Sequence, residues 1–241
     1  MSTIRLSKKH SRDRDGLPPL ENGDRLDQQT FHERYEAMPS DVRAELIGGT
    51  VYMASPQRKD HARLQAILAW WLGEYGTATA GTDVLVNSTT ILGHESEPEP
   101  DACLLILPEH GGQTREDENG YLIGAPELTA EVSWATEAID LHGKKRDYER
   151  AGICEYIVAA LRQRHVYWFV RRRGRFRDLA PGKDGVIRSE VFPGLWLDPD
   201  ALLRRDRRRL LTALRRGLAS PEHEAFVAKL GKLHAEPRGD S

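Results

Sequence analysis

Pro98-Glu99-Pro100-Asp101-Ala102-Cys103-Leu104-Leu105-Ile106 and, further on, Glu127-Leu128-Thr129-Ala130-Glu131-Val132-Ser133 are apolar runs, and each carries a carboxylate for which a buried strand has no structural use. An ionised carboxylate inside such a strand costs on the order of several kcal/mol unless a cation or a set of donors satisfies it. Two strands of this kind side by side would present two oxygens to one point, which suits a hard divalent cation. A basic helix, Asp140 to Arg150, follows directly. The expected outline is a metal-dependent phosphodiesterase site.

Around these strands the pattern is that of a mixed α/β domain. Thr30-Phe31-His32-Glu33 has capping-box spacing and predicts a helix over 30–38. Ala44-Glu45-Leu46-Ile47 and Val51-Tyr52-Met53 flank Gly48-Gly49, a hairpin signal. Leu64, Ile67, Leu68, Trp71 and Leu72 fall at helical spacing within 60–75. Strands are expected over 82–87, 89–92, 101–107 and 128–133, with 108–124 an exposed polar loop. A helix over 137–151 should end at Gly152, which can serve as its C-cap. The β pattern resumes at 155–159, 165–170 and 176–179, and two helices are expected over 202–218 and 222–233. The predicted organisation is a disordered leader over 1–26, one domain over 27–198 and a helical extension over 199–241.

Composition narrows the class. The chain has 241 residues, 30% of them charged, with a net charge of -2, so global charge speaks neither for nor against nucleic acid. The distribution says more: seven arginines lie between Arg162 and Arg177, and 204–216 is similarly dense. Cys103 and Cys154 stand far apart in apolar runs, as reduced buried thiols do, and without the spacing of a zinc ribbon. No apolar run approaches the roughly 20 residues that span a bilayer. The polar N-terminus lacks a signal peptide's apolar core. A soluble cytoplasmic protein with no membrane partner is expected.

The ordered blocks resemble the PD-(D/E)XK nuclease superfamily and, within it, the Uma-type putative restriction endonuclease family, over about 30–197. Glu45-Leu46-Ile47-Gly48-Gly49-Thr50-Val51 looks like the family's acidic hairpin, and Ser55-Pro56 with His61 looks like its loop-to-helix entry. Pro100-Asp101 is similar to the PD half-motif, and Glu131-Val132 to the second acid. Lys144, Tyr148, Ala151-Gly152 and Glu155-Tyr156 resemble the basic helix and the strand after it. The resemblance implies a restriction-endonuclease-like central mixed sheet flanked by helices. It also implies Mg²⁺ or Mn²⁺ as cofactor, DNA as substrate and a homodimer as a plausible assembly.

The chemistry needs these residue types for separable reasons. A divalent cation on Asp101 and Glu131 would stabilise charge on the phosphate and lower the pKa of a bound water. Glu45 would serve as a third ligand or act through a metal-bound water. A lysine would orient the attacking water or stabilise the phosphorane. The position two after Glu131 is Ser133, where the superfamily motif carries lysine; the family resemblance places that lysine at Lys144. Asp140, four residues before it, would hold the ammonium, while Lys145 would face solvent. His61 and Gln65, one turn apart, are candidate substrate-binding residues, and Tyr148 reads as core.

Each residue also has a plainer reading. Asp101 could cap a nearby backbone N–H, Glu131 could face solvent from an alternating strand, and the arginines could be solvated hairpin tips. Two other functions compete with a DNA endonuclease. One is a catalytically silent nuclease-fold protein that binds nucleic acid or a protein partner. The other is a hydrolase of smaller phosphate esters, for which no phosphate-cradling Gly-rich loop is evident.

Overall fold

Strands covered on both faces are predominantly apolar, and the runs at 102–106, 128–133 and 155–160 are three of the four inner strands of a six-stranded sheet. The computed structural model describes residues 16–235. The first half comprises α1 (Gln28–Glu36), β1 (Ala44–Ile47), β2 (Thr50–Met53), α2 (Lys59–Ala78), β3 (Thr82–Leu85), β4 (Thr90–Ile91), β5 (Ala102–Ile106), β6 (Arg115–Glu116) and β7 (Leu122–Ile123). Next come β8 (Leu128–Ser133), a π-helical turn (Ile139–Lys144), α3 (Lys145–Ala151), β9 (Glu155–Ala160), β10 (His165–Arg172) and β11 (Arg175–Asp178). The chain closes with β12 (Ile187–Arg188), β13 (Trp196–Leu197), α4 (Pro199–Arg204), α5 (Arg207–Leu218) and α6 (Pro221–Ala235).

The sheet order is β11-β10-β9-β8-β5-β3. Within it β8 and β9 are parallel and the other neighbours antiparallel. A parallel pair requires a crossover, and here the crossover is the π-helical turn with α3. Alternation along each strand then sorts side chains between two layers. Leu128, Ala130 and Val132 of β8, with Ile157 and Ala159 of β9, pack against Leu64, Leu68 and Trp71 of α2. On the other face Tyr156 and Val158 meet Tyr148 of α3. Glu131 points to that second face.

The hairpin forms as its sequence requires. Gly48 and Gly49 have φ of 56° and 71°, the pair of left-handed residues a tight two-residue turn demands. Leu46 and Val51 pack with Leu20 and Phe31, which fixes the hairpin against α1.

Several boundaries differ from expectation. Helix α1 is capped by Asp27, whose carboxylate accepts the Thr30 N–H at 2.8 Å, so it starts before Thr30. The expected helix over 202–218 breaks at Arg205, which is left-handed (φ 61°), because Asp206 caps a new helix through the Arg209 N–H. Leu202, Leu210 and Leu214 of the C-terminal helices are buried in the α2 layer. Segment 108–124 is more than an exposed loop: β6 and β7 pair with β4 in a three-stranded sheet. Of the expected leader, 1–15 lie outside the described residues. From Leu20 onward the chain is held on the hairpin, with the Gly23 N–H donating to Val51 O and the Leu26 N–H to Gly49 O. Among the described residues no helix is long and apolar enough to cross a membrane.

Candidate active site

Strand register builds the centre of the site. Ala102 of β5 faces Ala130 of β8. One position outward, Asp101 and Glu131 oppose each other, and opposed residues share a face with Cβ atoms about 4.5–5.5 Å apart. Both are buried, at 7% and 5% exposure, so the solvent-facing reading of Glu131 does not hold.

Each carboxylate is only partly committed. Asp101 Oδ2 accepts the Val132 N–H at 2.7 Å, and its Oδ1 lies 3.3 Å from His61 Nε2. Glu131 Oε1 accepts from Lys144 Nζ at 2.8 Å and from the Tyr148 hydroxyl at 2.9 Å. Lys144 Nζ also donates to Glu45 Oε1 at 2.8 Å, an atom that takes the Glu99 N–H at 2.7 Å. Gln65 donates to Asn87 Oδ1 at 2.7 Å and to the Asp101 carbonyl at 3.3 Å. Glu45, Lys144 and Glu131 thus form one network with Tyr148, and Asp101, His61 and Gln65 a second, the two meeting at the adjacent residues Glu131 and Val132 of β8.

Two carboxylates on one buried ammonium, with Asp140 acting at longer range, set the electrostatics. Burial would push the Lys144 ammonium down, but Glu131 and Glu45 overcome it and hold the lysine well above its ordinary range. Burial pushes Glu131 well above the usual carboxylate range against the pull of Lys144, and the Asp101 charge adds to the rise. Burial, then the Glu131 charge, keeps the Tyr148 hydroxyl protonated as a donor.

The expected helper residues sit differently. Asp140 accepts from the Thr136 hydroxyl at 2.6 Å instead of binding Lys144. The segment 139–144 is a π-helical turn, and within it the Asp140 carboxylate is taken up by the Thr136 hydroxyl at its start. Lys145 does not face open solvent either: its Nζ lies 3.5 Å from the centre of the Phe169 ring. Tyr148, read from sequence as core, is fully buried yet spends its hydroxyl on Glu131. Its position four residues after Lys144 on the helix was the available signal. Asn87, left-handed at φ 51° and holding Gln65, had no signal in the sequence.

A hard cation fits the donor chemistry of two of the acids. Asp101 Oδ1 and Glu131 Oε2 carry no backbone or lysine hydrogen bond among the described residues. Glu45 does not stand beside them as a third ligand, because Lys144 and the Glu99 N–H hold its carboxylate. Accordingly no three His, Cys, Asp or Glu side chains gather closely enough to hold a metal among the described residues. Two carboxylates suffice for Mg²⁺, which commonly keeps several waters and binds substrate phosphate oxygens.

The sequence model of the family described as Uma2, putative restriction endonuclease, matches residues 29–200, more than half of the 241-residue chain. Among solved structures, the fold is similar to the crystal structure of a putative nuclease belonging to DUF820 from Anabaena variabilis. The two share 14% identity at a TM-score of 0.53, over 71% of this chain and 97% of that one. No curated protein matches the chain.

Proposed function

The chain belongs to the Uma2 family of putative restriction endonucleases, and from that premise we propose that it is a PD-(D/E)XK-type nuclease that hydrolyses phosphodiester bonds of DNA with Mg²⁺ or Mn²⁺. The observation that carries the reading is the network Glu45–Lys144–Glu131 beside Asp101, in which a buried ammonium stands within 2.8 Å of two carboxylates. Asp101 and Glu131 would hold the cation. When bound, it would supply Lewis-acid stabilisation of the phosphate and a more acidic water.

The chain's own groups divide the remaining work. Lys144 stays protonated and so acts as a charge and a donor toward the phosphorane oxygens or the attacking water, not as a general base. Glu45 and Tyr148 fix the lysine and Glu131 in place. The Val132 N–H and His61 orient Asp101. Gln65 braces the start of β5 through the Asp101 carbonyl.

The test is cleavage of plasmid and single-stranded DNA at low salt with Mn²⁺ and then Mg²⁺, comparing wild type with Glu131→Gln. Metal-dependent nicking that the variant loses supports the enzyme. One observation favours a second reading, a silent nuclease-fold binder: the ammonium is already engaged by two carboxylates, which could lock the site closed. Binding of DNA without cleavage of any DNA or RNA substrate would put that reading first.

A further inference from the structure

At the end of the sheet where β8 and β9 finish, on the side of α2, lies a cavity of about 440 Å³; Asp60 of its lining adjoins His61, which touches Asp101. Its apolar lining is Trp134 with three leucines, and its cationic lining is Arg162, Arg164 and Arg205. The volume falls within the range of about 300–1,000 Å³ usual for ligand pockets. Its placement follows from topology: Ser133 pairs with Ala160, so the residues leaving the two parallel strands are neighbours, at the carboxyl ends where open α/β sheets bind ligands.

Charge and ring chemistry identify the occupant. Arg162 and Arg164 are exposed and form no ion pair among the described residues. Asp60, the acid of the lining, is already engaged by Arg205 at 2.8 Å and by Arg63 at 3.8 Å. The Arg58 guanidinium lies over the Trp134 ring, 5.4 Å from its centre, which adds a further cation at the same edge. Unpaired guanidinium groups around an indole match a ligand with a phosphate and a flat π-face. Stacked bases inside a duplex cannot offer that face, whereas an unpaired base can.

We propose that this cavity is a subsite for an unpaired nucleotide of the strand under attack, its base packed on Trp134 and its phosphate held by Arg162 and Arg164. The assignment rests on the nuclease reading for the nature of the polymer. It deepens that reading by naming the substrate class: nucleic acid with a single-stranded segment next to the reacting phosphate. Trp134 lies three residues beyond Glu131, roughly 10 Å along an extended chain. A strand whose phosphate meets the acids reaches it within a few nucleotides.

The experiment measures binding by fluorescence anisotropy, in EDTA, to three labelled probes: a single-stranded oligothymidylate, a duplex bearing that strand as an overhang, and a blunt duplex. Wild type should prefer the first two. Trp134→Ala should weaken those two by roughly 10-fold, the loss expected for one base–aromatic stack, and leave the blunt duplex unchanged. Trp134→Phe should retain most of the affinity. The double variant Arg162→Ala/Arg164→Ala changes only exposed side chains, so it tests the site without disturbing packing. Its salt dependence for the single strand should flatten by about 0.7 log units per decade, the change expected for one phosphate contact.

Wild type without a single-strand preference, or a Trp134→Ala that binds unchanged or weakens on all three probes alike, would overturn the proposal. So would displacement of the strand by polyglutamate as effective as by unlabelled oligothymidylate, since the cavity would then be an acidic-peptide site. Because cleavage is not read, the two claims separate. A protein that binds in this way but never cuts keeps the subsite and loses the nuclease; one that cuts while Trp134→Ala binds normally does the reverse.

Discussion

Lys144 Nζ donates to Glu131 Oε1 at 2.8 Å inside the protein, both side chains being 6% exposed. A lysine so enclosed would ordinarily shed its proton, and it is retained because a second carboxylate, Glu45, shares it. The three groups are therefore a unit, and removing one leaves the others with buried, unbalanced charge.

Lys144→Met should be costly at neutral pH. Breaking a buried pair by removing one partner typically loses about 3–5 kcal/mol. Urea denaturation should show a loss of that order, and Glu131→Gln in the same chain should recover much of it. Strict additivity of the two changes would show that the groups are not coupled. DNA affinity should be nearly intact, with cleavage slowed at least about 100-fold.

Lys145→Ala tests the neighbour. Its ammonium sits on the Phe169 ring, so its loss should cost about 0.5–1 kcal/mol, read as a small drop in melting temperature. Cleavage by this variant should match wild type. A loss of activity as large as that of Lys144→Met would move the functional lysine one residue along.

Asp101→Asn addresses the proposed cation site. Calorimetric titration should detect Mn²⁺ binding to wild type and a clear loss in the variant, and equal binding would end the assignment. Without metal the variant should be at least as stable as wild type, because the Asp101 charge is one of the causes that raise Glu131, and the amide oxygen can still accept the Val132 N–H.

Glu155 supplies a pH signature away from the site. It is fully buried and accepts from Trp168 Nε1, the Ser189 hydroxyl and the N–H groups of Glu190 and Val191, yet burial pushes its carboxyl up to about 7 from 4.5. A raised acid pKa means that the folded protein holds the proton more tightly. Its contribution is therefore complete below about pH 4.5, falls as pH rises toward 7 and is flat above. The total is on the order of 3 kcal/mol. Urea denaturation of wild type and Glu155→Gln across pH 4–8 should show a difference that changes in this window with that sign. A constant difference would mean that the carboxyl titrates normally.

What could be read from the sequence was local. The Gly48-Gly49 hairpin and the amphipathic stripe of α2 follow from short-range pattern, and both formed as expected. The oddity of Asp101 and Glu131 could be seen because a carboxylate in an apolar run conflicts with its surroundings. Facing inside the crossover was not legible, since it is set by partners outside the helical face that the spacing describes. The Thr136 hydroxyl takes up Asp140, and the Phe169 ring, from a later strand, takes up Lys145. Partners supplied by distant backbone, such as the Glu99 N–H on Glu45, leave no local trace. The division of 202–218 was readable in principle, because Asp206 is a strong N-cap residue inside an otherwise periodic run.

The wide turn at Ile139–Lys144 also makes length a functional variable. Upstream it must meet the Ser133–Thr136–Asp140 hydrogen bonds, and downstream the Lys144–Tyr148 face of α3. The turn is already wound wider than an α-helix, so one residue more would turn one end by about 100° relative to the other. A single in-frame codon insertion there would leave every acid and the lysine encoded, with the ammonium out of register with its carboxylates. Relatives that keep all four side chains can therefore still differ in competence, and the spacing between Glu131 and Lys144 is the character on which to sort them.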